Sequence, residues 1–142
     1  MKIRLREFKQ GDIEAIEDLV EPFATEEILK VTEGLSMTMT SDGKPVACGG
    51  VAARDEDSAE VWIVASKSLL AGSLAVRFRL LHALMEVFNM VIKTLDYPLL
   101  YAAILDGFDR GERLAKLFKF EKMDQTLERD GHTYHYYKRM VE

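Results

Sequence analysis

Apolar residues in this chain change their spacing from one stretch to the next, and each spacing predicts an element. Ile3, Leu5 and Phe8 stand among charged neighbours and open a first strand. From Gly11-Asp12 the apolar positions become Ile13, Ile16, Leu19 and Val20, a helical spacing with Asp12 as the N-cap. Pro22 ends or kinks that helix, and a second short one runs from Thr25, with Glu26 and Glu27 at its positive end, to Gly34. Leu35 to Thr40 and Lys44 to Arg54 flank Ser41-Asp42-Gly43 and read as a β-hairpin. After Asp55-Glu56-Asp57-Ser58 comes a further strand, Ala59 to Ala65.

The longest regular pattern follows. Leu74, Phe78, Leu81, Met85, Phe88, Ile92 and Leu95 step by four and three, and Leu80, Leu84, Val87 and Val91 make a second such row. Arg79, His82, Glu86, Asn89 and Lys93 form the opposing polar stripe, a solvated face. So much apolar circumference predicts a helix packed on a sheet and largely covered. Pro98 to Leu105 is a buried-type strand, and Asp109-Arg110-Gly111-Glu112 has capping-box spacing for a helix ending near Lys119. Lys122 to Arg129 and His132 to Met140 are strands around Asp130-Gly131. Alternation puts His132, Tyr134 and Tyr136 on one face of the last strand, and Thr133, His135 and Tyr137 on the other. The whole is a mixed α/β (α+β) order.

A chain of 142 residues that is 48% hydrophobic suffices for one domain, and residues 1–142 are read as that. The net charge of −5 argues against a nucleic-acid grip built on bulk charge, so no nucleic-acid partner is expected. Cys48, the one cysteine, excludes an intrachain disulfide; in its apolar run it reads as core, and a reducing compartment fits. Neither a signal-peptide run nor a membrane-length span is legible, so no membrane contact and a cytoplasmic location are expected. His132 and His135 face opposite sides of a strand with no third ligand near, so no metal site is expected.

One stretch points to a ligand. Between the Ala59 strand and the long helix lies Ser66-Lys67-Ser68-Leu69-Leu70-Ala71-Gly72-Ser73. A turn that opens a helix aims backbone N–H groups and the positive dipole end at one point, which suits a phosphate or pyrophosphate. Gly72 lets the backbone approach closely.

The element order, with Arg6-Glu7-Phe8-Lys9-Gln10-Gly11-Asp12 at the start and Leu114-Ala115-Lys116-Leu117-Phe118-Lys119-Phe120 near the end, resembles the GCN5-related N-acetyltransferase (GNAT) family. Cys48-Gly49-Gly50, Trp62-Ile63-Val64-Ala65-Ser66 and Arg129-Asp130-Gly131 are similar to a podovirus branch of that fold, the internal virion protein A-like proteins. The resemblance implies a mostly antiparallel sheet of about seven strands with about four helices. It implies acetyl-CoA as co-substrate: pantetheine along Ile63, Val64 and Ala65, pyrophosphate on Leu70, Ala71, Gly72, Ser73 and Leu74. The reaction would be direct attack of an amine on the thioester, with Glu60 as base, Tyr101 as proton donor and Asp106 as a further acid/base candidate. A strand N–H near Val64 or Ala65 would serve the oxyanion. The acceptor would be a small-molecule amine or a protein amino group.

The chain departs from the family pattern at Leu69, Leu74, Phe108, Ala115 and Lys119; Ala115 stands where many members carry a tyrosine acid. These departures keep a second reading open, a catalytically silent phage or prophage structural protein, in the virion if phage-derived. Tyr134, Tyr136 and Tyr137 would be its interface anchors, and an aromatic edge strand would favour a homodimer or phage-particle partner. A third, a small-ligand sensor, has no specific residue behind it. A V-shaped opening between the Ala59 and Leu99 strands favours the enzyme; a cleft plugged by Trp62, Leu74 or Phe108 favours the structural protein.

Overall fold

The computed structural model describes residues 2–17, 35–66, 74–107, 109–129 and 131–141. The elements are β1(Ile3–Glu7), β2(Leu35–Ser41), β3(Lys44–Ala53), β4(Ser58–Ala65), α1(Leu74–Leu95), β5(Leu99–Leu105), α2(Asp109–Leu117), β6(Glu121–Arg129) and β7(His132–Met140). Seven strands form one sheet in the order β1-β2-β3-β4-β5-β7-β6. Every neighbouring pair is antiparallel except β4 and β5. The expected hairpin at Asp42-Gly43 is present: both take positive φ, 49° and 85°, as a two-residue turn between right-twisted strands demands.

Alternation along the strands divides two cores. On one face Val51, Ala59, Val61, Leu100 and Tyr137 pack under α1 through Phe88 and Ile92, joined by Ala115 and Phe118 of α2 and by Phe120. The rings of Phe88 and Phe118 stack at 4.8 Å. On the opposite face Cys48, Trp62 and Val64 pack against Ile13 and Ile16, with the Phe8 ring edge-on to Trp62. The polar stripe of α1 is exposed as expected, but Phe78 and Met90 are exposed too, at 69% and 58%. The helix covers the sheet with one stripe rather than most of its circumference.

Three expectations change. Asp12 does not cap: residues 10–15 form consecutive turns, the Asp12 carboxylate is drawn into the sheet, and the expected helix beyond residue 17 lies outside the described residues. It pairs bidentately with Arg6 of β1 at 2.8 Å, and accepts from the Lys9 N–H and from the Thr38 hydroxyl of β2, each at 2.7 Å. Such side-chain bonds compete with a helical ladder. The helix expected from Thr25 to Gly34 lies outside the described residues. Second, β7 is not an edge strand: it sits between β5 and β6, and the edge is β6, rich in charge. Third, Tyr134 and Tyr137 are buried, at 9% and 1% exposure, Tyr137 within the core under α1; they are packing residues, not interface anchors.

Candidate active site

The site begins where a ladder fails. β4 and β5 run parallel, yet only Ser58↔Leu99, Ala59↔Leu100 and Glu60↔Tyr101 are paired. Beyond that point no pairing joins residues 61–65 to 102–105, so the ladder opens toward the C-terminal ends of both strands. The other edge of β4 stays paired with β3 through Ala65. The outer edge of β5 stays paired with β7 through Leu105. The gap is therefore local to this one junction.

Backbone direction follows from two anchors. Arg54 donates its N–H to the Ser58 carbonyl, and Ser66 donates to the Val46 carbonyl, both at 2.9 Å. Since N–H and C=O of alternate residues point to the same neighbour, even-numbered residues of β4 bond to β3 and odd-numbered ones face β5. Consistently, the Leu99 N–H reaches the Asp57 carbonyl at 3.2 Å. Ile63 and Ala65 thus present peptide groups to the gap, in reach of an extended amide chain, whereas those of Val64 point to Cys48. Among the candidates for such a chain, Ile63 and Ala65 are placed to pair and Val64 is not. The oxyanion donor correspondingly narrows to Ala65 or Ile63.

At the apex, on the face away from α1, the sheet gathers polar groups from successive strands. Glu60 and Tyr101 are cross-strand partners, both half-buried. Tyr136 of β7 meets Tyr101 edge-on at 6.4 Å. Arg54, just after β3, lays its guanidinium over Tyr101 at 4.4 Å and within 5.5 Å of the Tyr136 ring centre. Lys138 stands directly opposite Tyr101 on β7, hence on the same face. Arg54, Tyr136 and Lys138 had no motif to mark them in the sequence; the strand order 4-5-7 brings them together.

The third catalytic candidate lies elsewhere. Asp106 follows β5, about 16 Å along the strand from Tyr101 at strand rise, at the open end of the gap. Its N–H donates to the Thr133 carbonyl, and its carboxylate meets Nε2 of His135 at 2.9 Å. It does not share the apex with Glu60 and Tyr101. Leu70, Ala71, Gly72 and Ser73 lie outside the described residues, and Leu74 enters only as the first residue of α1. Phe108 is likewise outside. Trp62 does not plug the gap: its side chain belongs to the opposite-face core. Ala115, in the place of the family tyrosine, is buried under α1 and offers no proton.

Cys48 is buried, and that burial pushes its thiol up to about 11, against any role as a thiolate nucleophile. Among the described residues no three metal-ligating side chains come together, and no helix is long and apolar enough to cross a membrane.

No family model and no curated protein matches the sequence. Solved structures do match over the full length. Ard1 of Thermoplasma volcanium superposes with a TM-score of 0.76 at 18% identity, covering 99% of this chain and 98% of that one. An acetyltransferase of Bacillus subtilis in complex with CoA gives 0.69 at 11% identity, over 99% and 100% of the two chains. A GNAT family acetyltransferase of Elizabethkingia anophelis with acetyl-CoA bound gives 0.64 at 11% identity, over 98% of each. The chain has the fold of the GNAT acetyltransferases, with its parallel β4–β5 ladder ending after Glu60 and Tyr101.

Proposed function

We propose that the protein is an acetyl-CoA-dependent N-acetyltransferase of residues 1–142 acting as one domain. The observation that carries this reading is the opened ladder: the parallel pairing ends after three residue pairs and leaves the Ile63 and Ala65 peptide groups facing the gap. A pantetheine arm has two amides, and an exposed strand edge is the surface that pairs with them. Its pyrophosphate would then fall at the turn from Leu70 to Leu74, ahead of α1.

At the apex the chemistry needs one base and one acid. An acceptor ammonium gives a proton to the Glu60 carboxylate, and the free amine attacks the thioester carbonyl. The N–C bond forms, the C–S bond breaks, and the departing thiolate takes a proton from the Tyr101 hydroxyl. Tyr101 is re-protonated by the amide-forming nitrogen through solvent, so the net reaction releases one proton. Tyr101 takes over the task that Ala115 cannot perform. Asp106 and His135, at the far end of β5, stand outside this exchange.

Trp62 gives no support to the plugged-cleft reading. The podovirus likeness rests on short segments, two of which are one patch: Cys48, Gly49 and Gly50 are the cross-strand partners of Val64, Ile63 and Trp62. A homodimer or phage-particle partner would have to use something other than an aromatic edge, since β7 is interior.

The deciding test is calorimetric titration with acetyl-CoA of the protein and of Ala65→Pro. Proline at Ala65 removes a donor that faces the gap and no ladder bond to β3. Micromolar binding, weakened at least tenfold in a variant that still folds, is expected. No heat at millimolar ligand with folded protein would sink the reading.

A further inference from the structure

We infer that Phe78 is the stacking platform for the adenine of acetyl-CoA, the side chain by which the protein reads a nucleotide-bearing donor rather than phosphopantetheine alone. The inference rests on the acetyltransferase reading and deepens it.

Phe78 is the exception in its own row. Phe78, Leu81, Met85, Phe88 and Ile92 step by three and four along one stripe of α1. Phe88 and Ile92 are buried with Ala115 of α2 and with Phe118, and Met85 packs against the same core. Leu81 is half-buried, and Phe78 is left 69% exposed. A single exposed apolar residue is ordinary on a protein surface. The place of this one assigns it a partner.

The N-terminal end of α1 lies at the mouth of the β4–β5 gap. Phe88 and Ile92 share a core with Val61 and Leu100, beside the last pairs of the ladder. Closer to the start of the helix, Leu80 belongs to the cluster that Ala65, the last residue of β4, packs against. Phe78 precedes Leu80 and so stands past Ala65. Its row is the one that meets α2, since Phe88 stacks on Phe118, which sets Phe78 on the β5 side of the helix. A donor paired with Ile63 and Ala65 leaves the sheet at this mouth, its pyrophosphate ahead of Leu74 and its adenine one ribose further. Phe78 is one helical turn, about 6 Å, past Leu74, within reach of a base on that tether.

The ring suits a base better than a protein. A phenyl side chain offers about 200 Å², far below the roughly 1,600 Å² of a stable interface between two copies. Its exposed neighbours Arg79 and His82 are polar. Adenine asks for one flat apolar face, and a base stacks on an aromatic ring without further contacts. Adenine is also uncharged, so the exposed acids after β5, Asp106 and Asp109, do not oppose it. The first turn of α1 carries no acid to repel the phosphates on either side of the ribose.

The test is calorimetric titration of the full chain as wild type, Phe78→Ala and Phe78→Trp. The ligands are acetyl-CoA and acetyl-phosphopantetheine, which keeps the thioester arm and lacks adenosine. Phe78→Ala should weaken acetyl-CoA by about fivefold or more and leave the fragment within about twofold. Phe78→Trp should hold acetyl-CoA within about twofold of wild type, and its added emission should be quenched by acetyl-CoA but not by the fragment. Wild type supplies the background of Trp62, the one native tryptophan. Unchanged acetyl-CoA affinity in Phe78→Ala, or an equal loss for both ligands, overturns the inference and leaves acetyl transfer standing. A wild type that sediments as a dimer, and a Phe78→Ala variant that sediments as a monomer, give the ring to a second copy and overturn it as well. Failure of the wild type to bind acetyl-CoA overturns the parent reading and this one with it.

Discussion

Glu60 and Tyr101 divide the proposed chemistry between two neighbouring side chains, so their replacement should have different signatures. Glu60→Gln keeps the shape and removes the base; a loss of 10²–10⁴-fold in kcat is expected, with acetyl-CoA affinity unchanged by calorimetry. Tyr101→Phe keeps the ring that supports Arg54 and removes only the proton, so kcat should fall while the KM of the acceptor holds. A kcat within twofold of wild type in either variant would reassign the role. Asp12 offers a prediction of a different kind. Its carboxylate, buried and tied to Arg6, the Lys9 N–H and Thr38, is held well below the usual carboxylate range, the Arg6 hydrogen bonds contributing most. The unfolded-state pKa is about 4. Its contribution is therefore complete above about pH 5 and drains away as pH falls below that value. Urea midpoints measured from pH 6 down to pH 3 should decline, and Asp12→Asn should be less stable at pH 7 by about 1–3 kcal/mol with a flatter acid limb. Composition could not reveal this cluster, because Arg6, Asp12, Thr38 and Cys48 are polar or lone residues whose meaning depends on strand register.

Elements were the most legible scale, and their ends the least. Each described strand is close to its sequence expectation, since period-2 alternation and two Asp-Gly turns constrain β structure strongly. Asp12 does not act as the expected cap, because a capping preference is weak against a buried ion pair. Lys119 shows how an element end is settled. The Phe120 N–H returns to the Ala115 carbonyl and the Lys119 N–H to that of Lys116, both at 2.9 Å, a Schellman ending for α2. Lys119 takes the left-handed position at φ 67°, where glycine carries no Cβ penalty. Lys119→Gly should raise stability by up to about 1 kcal/mol, read as a higher urea midpoint. Gly50→Ala should act in the opposite direction. A Cβ there would run into the Leu35 carbonyl and Ser36 of β2, so a loss of about 2 kcal/mol or more and a lowered melting temperature are expected. An unchanged midpoint would mean that β2 and β3 can separate at no cost.

At the scale of the whole molecule the prediction concerns linkage. If residues 1–142 fold as one unit and bind acetyl-CoA only when folded, heating should give one transition that moves up with ligand. At one hundred times Kd the gain is about 2.7 kcal/mol, or about 5–10 °C for a chain of this size. Two transitions, or one that acetyl-CoA does not move, would contradict the proposal. By itself the sequence determined the order of the seven strands and of the two described helices, the polar stripe of the sheet-packing helix, and the succession of a strand end by a helix start. Those properties follow from local periodicity and turn chemistry, which are carried by residues close together in the chain. The tertiary structure alone decided that the strand order runs 4-5-7-6, that β7 is interior, and that the β4–β5 ladder stops after Glu60. It alone set Arg54 on Tyr101. These depend on which distant segments pair and at what register, and pairing energy is spread over many contacts that no single motif records.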